Sequence, residues 1–218
     1  MIDITLDEIY VIEEDKQLNT ELFEKWKKWV EEVEQKSSSK TAVMFYFQKS
    51  LNDFIDQKKG VKRNDKHMWY KRNVLYATME VGETLEELKI KHWTRDERID
   101  RKKLLEEYVD IWHFIMSAAL DSGWDGNLIK RATKILESDW KTDYAGEPNI
   151  EAGIRLVEML ECLNREFQAC YLSALSLFVE SMGIMGYTFD EFYRAYLIKN
   201  FKNFARQESP EFRGGKYF

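Results

Sequence analysis

The 218-residue chain has only two prolines and ten glycines, too few turn-formers for many short strands, which excludes an all-β fold. Cysteine is scarce too. Cys162 and Cys170 stand eight apart in an apolar stretch that reads as one helix, about two turns apart and too far for a disulfide. They read as buried thiols of a reduced, intracellular protein. No segment approaches 18 uninterrupted apolar residues, so no spanning helix is expected. The opening MIDITLDEIY carries acids where a secretion signal needs a basic region and a long apolar one, so a cytoplasmic protein is expected. Positive charge is also in deficit: 33 Lys and Arg face 39 Asp and Glu, a net −6. Nucleic acid and anionic membranes are therefore not expected partners, and an anionic ligand needs a local basic patch or divalent cations. The three histidines, His67, His92 and His113, have no Glu three residues before them, which excludes the Glu-x-x-His pairs of a ferritin-like di-metal oxidase.

What is present is helical patterning. With 44% hydrophobic and 14% aromatic residues the chain can build one core, and apolar spacings of three and four predict an all-α bundle of about six to seven helices. Residues 1–40 read as an N-terminal segment plus a charged helix from Thr20 to Lys36, with an apolar stripe of Leu22, Trp26, Trp29, Val30 and Val33. Residues 41–218 read as the main domain. Its helices are expected at about Thr41–Lys58, His67–Lys91, Arg101–Asp121 with Gly123 as a left-handed cap, Asn127–Asp139 and Ile150–Met182. A last helix starts at the Thr188/Glu191 capping box and ends near Gln207.

Two acid pairs stand out. Glu80 and Glu83 (EVGE) lie three apart on the third helix, and Glu107 and Asp110 (EYVD) repeat that spacing on the fourth. A short connection makes the two helices expected antiparallel neighbours at the centre of the bundle, with the pairs facing each other. Similar acid spacings recur elsewhere, as at Glu21/Glu24 and Glu158/Glu161, where a solvated face explains them. Asp110 differs because it is the only formally charged residue in YVDIWHFIMSAAL. A carboxylate on so apolar a helix needs a metal, a lysine or a hydrogen-bond network beside it.

The run EVGE, KHW and EYVDIWHF resembles the all-α NTP pyrophosphatase (MazG-like) superfamily, and specifically its dimeric dUTPase branch. The resemblance implies metal ligands at Glu80, Glu83, Glu107 and Asp110, two or more Mg²⁺ ions with Mn²⁺ as a substitute, and a homodimer. It implies hydrolysis of dUTP to dUMP and pyrophosphate, and of dUDP, with attack at the β-phosphorus. One acid must lie beside the attacking water rather than wholly on metal, and Glu80 is taken for that role. Two further signatures of the branch are present. Gln48 and Asn52, one turn apart, would read the uracil edge, since an amide offers both donor and acceptor. The K-N-x-x-N-x-x-R-Q helix is Lys199, Asn200, Asn203, Arg206 and Gln207, of which Lys199, Asn203 and Arg206 form one stripe along a polyphosphate. Lys91, Trp93, His113 and Phe114 complete the expected substrate contacts. Two alternatives stay open: dCTP or a broad set of nucleotides as substrate, and a non-catalytic helical protein that binds a partner through the Trp26/Trp29 stripe.

Overall fold

The computed structural model describes residues 4–5, 16–93, 98–165 and 168–208. Among them are eight helices and no strand: α1 (Lys16–Lys36), α2 (Lys40–Lys59), α3 (Lys66–Glu87), α4 (Arg101–Asp121), α5 (Gly126–Leu136), α6 (Pro148–Leu163), α7 (Gln168–Ile184) and α8 (Phe189–Glu208). Short polar side chains set the starts. Ser39 caps α2, Asp65 caps α3, Asp100 caps α4 and Asp125 caps α5, each accepting from an otherwise unpaired first-turn N–H. At α8 the capping box forms as expected, with Thr188 N–H on Glu191 at 2.8 Å and Glu191 N–H on Thr188 Oγ1 at 3.3 Å. No single helix among the described residues is long and apolar enough to cross a membrane.

Two helices depart from expectation, and the first departure raises the number of helices among the described residues to eight. The stretch expected as one helix from Ile150 to Met182 is two. α6 stops at Leu163, where Asn164 Nδ2 donates to Leu160 O at 2.9 Å and the Arg165 N–H shifts to Cys162 O. An amide side chain competing for a helix carbonyl ends the run without Gly or Pro. Cys162 and Cys170 consequently stand on different helices, both as free, half-buried thiols, and desolvation raises the Cys162 pKa. Helix α3 also ends at Glu87, four residues before its expected end, because Lys89 takes a left-handed φ of 55° normally given to glycine. The Met1–Asp15 segment, expected as a hook or short helix, lies outside the described residues apart from 4–5.

The chain divides into two compact units. One comprises residues 1–62 and 196–218. In it Trp26 and Val30 of the α1 stripe are buried and Leu22, Trp29 and Val33 half-buried, with Trp26 5.4 Å from Phe201 and Trp29 4.6 Å from Phe47, ring centre to ring centre. The Tyr196 hydroxyl donates to Met44 O at 2.9 Å and Lys58 Nζ to Gln207 O at 2.6 Å. These contacts fix α2 and the end of α8 side by side and running the same way.

The other unit, residues 63–195, is built on α3, α4, α6 and α7, with α5 against α7. Hydrogen bonds tie the four into a bundle. Tyr70 donates to Leu163 O, Tyr171 to Ile115 O and Ser181 to Ala152 O, while Tyr108 and Ser181 share a 2.7 Å bond. Its centre is aromatic: Trp112 and Phe178 stack, and Phe192 closes on both. Each of these rings is fully buried, worth about 1.5–3 kcal/mol of transfer free energy apiece.

Candidate active site

Helices α3 and α4 meet along a stripe that repeats every seven residues on α3, namely Asn73, Glu80 and Glu87. At one end Asn73 Nδ2 donates to Asp121 at 2.7 Å, joined by Arg63 at 2.8 Å. At the other end Glu87 receives a short hydrogen bond from Lys103 and lies 3.4 Å from Lys89 Nζ. The start of α3 thus sits at the end of α4 and the reverse, so the pair runs in opposite directions. A side chain seven residues on returns to nearly the same face, which puts Glu80 on this seam.

Midway along the seam Glu80 meets Glu107 and Asp110, with one carboxylate oxygen from each within 4.8 Å of the others. All three are half-buried. The donor set is wholly carboxylate oxygen, which suits a hard divalent cation such as Mg²⁺ or Mn²⁺. Without a cation, like charges this close repel by about 3 kcal/mol per pair at an effective dielectric of about 20. Glu83 is not in this group. It is exposed, because three residues turn a helix by about 300°, carrying Glu83 off the seam that the seven-residue stripe occupies.

Around the trio, Phe114 is half-buried, one turn beyond Asp110, with its ring 5.3 Å from that of Tyr76. His113 is buried and its carbonyl accepts from Ser117. Lys91 and Trp93 are exposed, Lys91 lying 3.7 Å from Glu86 and Trp93 edge-on to His92.

In the first unit, Gln48 is buried and donates through Nε2 to Asn52 Oδ1 at 3.0 Å. The register set by Met44–Tyr196 and Lys58–Gln207 places these amides level with Asn200 and Asn203 on α8. Lys199 and Asn203 are half-buried, and Arg206 is exposed with Nη1 3.4 Å from Asn203. Asn200 is fully buried, its Nδ2 on the Tyr196 hydroxyl at 3.4 Å and its Oδ1 without a hydrogen-bond partner among the described residues. Stripe reasoning from Lys199 passes over this residue, although its signal was visible as the second member of the K-N-x-x-N run.

The family model described as dUTPase matches residues 40–210. The chain is a member of the dUTPase family. The match spans most of the sequence, and the all-helical fold agrees with the all-α, dimeric-type branch. No curated protein and no solved structure matches the chain. As a dUTPase family member it is a nucleotide hydrolase at the level of class, with a nucleotide as its substrate, and its acidic trio could hold the metal that such enzymes generally use.

Proposed function

We propose that this dUTPase family member hydrolyses dUTP to dUMP and pyrophosphate, and dUDP to dUMP and phosphate, with Mg²⁺ held at Glu80, Glu107 and Asp110. The observation that carries this reading is the convergence of three carboxylates from two helices within 4.8 Å in a chain whose family match covers both helices. Glu83, on the exposed side of α3, is assigned to a further Mg²⁺ ion. When bound, Mg²⁺ would supply Lewis acidity toward phosphoryl oxygens and offset the charge of the triphosphate. Glu80, the one member of the trio on α3, orients the attacking water and takes its proton. Lys199, Asn203 and Arg206 hold the phosphates, with the cationic Lys199 and Arg206 offsetting charge on the β- and γ-phosphates as water attacks the β-phosphorus and dUMP leaves.

Gln48 and Asn52 select the base. Each amide carries both a donor and an acceptor, the two kinds of group that uracil's N3–H and carbonyl oxygens call for. Lys91, Trp93, His113 and Phe114 complete the contacts to base, sugar or phosphate. The family resemblance extends the proposal to a homodimer. The partner-binding alternative is the less favoured reading, because Trp26 is buried and Trp29 packs on Phe47 and Phe204 of the same chain.

The test is Asp110→Asn, assayed for Mg²⁺-dependent pyrophosphate release from dUTP. Activity should fall by about 100-fold or more, since changes that only support a metal ligand already cost about 10–100-fold. Near-normal release would eliminate the metal assignment.

A further inference from the structure

On one continuous helix Cys162 and Cys170 would stand two turns apart, beyond the reach of a disulfide. The division of that stretch into α6 and α7 removes the exclusion. Both cysteines are free and half-buried, one in the last turn of α6 and the other in the first turn of α7. Two contacts fix how these helices face each other. Ser181 Oγ donates to Ala152 O at 2.9 Å, and Arg155 Nε lies 3.0 Å from Glu180. The helices run in opposite directions, because Ala152 near the start of α6 meets Ser181 near the end of α7. Cys162 stands seven residues beyond Arg155, two turns on, and so lies within about 20° of the side that meets Glu180. Cys170 stands eleven residues before Ser181, three turns back, and lies within about 20° of the side that reaches Ala152. From the Ala152–Ser181 contact, ten residues along α6 and eleven back along α7 end level to within about 1.5 Å. The two thiols therefore face one another across the seam, near the turn of the hairpin.

A serine side chain that reaches the carbonyl of another helix requires closely packed axes. Helices about 8–10 Å apart, with Cα atoms about 2.3 Å off each axis, bring facing Cα atoms into the range of about 4.4–6.8 Å that a disulfide spans. Burial raises the Cys162 pKa, Arg165 opposes the rise, and negative charge on Cys170 adds to it, an influence that falls off with distance and so belongs to near neighbours. The flanking residues tie this end of the hairpin to the helices that carry the acidic trio. Leu163, next to Cys162, accepts from Tyr70 of α3 at 2.7 Å, and Tyr171, next to Cys170, donates to Ile115 of α4 at 2.7 Å. A covalent link between the cysteines would clamp the place where α3 and α4 are both held.

We propose that Cys162 and Cys170 are a thiol pair that a small-molecule disulfide such as oxidised glutathione converts to an intrachain disulfide, stapling α6 to α7. One cysteine thiolate attacks the glutathione disulfide, forming a mixed disulfide and releasing one glutathione thiolate. The other cysteine thiolate then attacks the protein sulfur of that mixed disulfide and releases the second glutathione. Two protein thiols are oxidised, one glutathione disulfide is reduced, and the two protons pass to the glutathione released.

The experiment exposes the full chain to oxidised glutathione at about pH 8.5, near the ordinary cysteine pKa, and then traps remaining thiols with iodoacetamide under denaturation. The intact mass should fall by two hydrogens with no alkylation, and trypsin should release residues 156–165 joined to residues 166–194. On a non-reducing gel the product should run as a single chain. Its thermal midpoint by circular dichroism should rise by about 5 °C over the reduced chain and return with dithiothreitol. Cys162→Ser and Cys170→Ser, each shown folded by circular dichroism, should stop at one glutathione adduct and show no such rise. Two unreacted thiols, two stable glutathione adducts, a link between chains only, a joined chain with an unchanged midpoint, or an equal rise in either serine variant would each overturn the pair. Mass and melting are read without nucleotide or metal, so failure of dUTP hydrolysis would count against the proposed activity and leave this pair standing.

Discussion

At Gly183, near the end of α7, an added Cβ would stand 1.9 Å from the carbonyl oxygen of Trp140. The obstacle is backbone, and that backbone is held, because Trp140 Nε1 donates to Leu136 O at 2.7 Å and its ring packs on Phe189 and Phe192. Gly183→Ala should therefore cost about 1–3 kcal/mol, as overpacking of a filled interior does, read as a lower urea midpoint with unchanged slope. An unchanged midpoint would show that the 137–147 connection yields freely. Nothing local in the sequence marks this glycine, because the segment that crosses above it lies some forty residues earlier in the chain. Glu87 is a second case. The hydrogen bond from Lys103 holds its carboxyl below the usual range, with Lys89 assisting. A depressed folded value means the unfolded chain binds more protons, so the contribution is complete above the ordinary glutamate pKa of about 4.3 and is lost as pH falls through the lower folded value. Glu87→Gln should lose about 1 kcal/mol at neutral pH and show a smaller drop in urea stability below pH 4 than wild type. Equal acid sensitivity of the two proteins would remove Glu87 from the account.

At the scale of the element, starts were legible, and so were stops marked by glycine, as with Gly123 at φ 81° beyond α4, whereas unmarked stops were not. Helix starts are written in short polar side chains that act within three residues, as Asp100 on Lys102 and Lys103 and Thr188 on Glu191 show. Thr188→Ala should accordingly cost about 1 kcal/mol and fray the start of α8, measurable as faster amide exchange in residues 190–192. Unaltered exchange there would mean that packing alone holds the helix end. The missed stops lack the usual punctuation. Lys89 adopts a conformation that glycine ordinarily supplies, and Asn164 ends α6 inside an unbroken apolar rhythm. The acid pairs illustrate the same limit: spacing of three put Glu80 and Glu83 on one face, whereas the contact seam follows Asn73, Glu80 and Glu87. Only knowledge of where α4 lies separates the two patterns.

Over the whole molecule, the candidate ligands for base and metal belong to different compact units. Gln48→Ala should raise KM for dUTP and blunt discrimination against dCTP by about 1–3 kcal/mol, the penalty of an unmet hydrogen-bonding edge, while leaving the Mg²⁺ dependence of the remaining activity unchanged. Unaltered selectivity would remove Gln48 from base recognition, and a shifted Mg²⁺ dependence would show that the two roles are not separable. The family was readable from four motifs in order, and the match over residues 40–210 agrees with it. The sequence by itself determined the helical class, the starts of most helices and the identity of the acids, because periodicity, caps and residue chemistry act over a few residues. The tertiary structure alone decided that Glu80 joins Glu107 and Asp110 while Glu83 stays outside, that the long apolar stretch folds back into α6 and α7, and that Trp26 packs on Phe201 inside its own unit. Each of those depends on which face of one helix meets another, and that is set by packing between residues far apart in the chain.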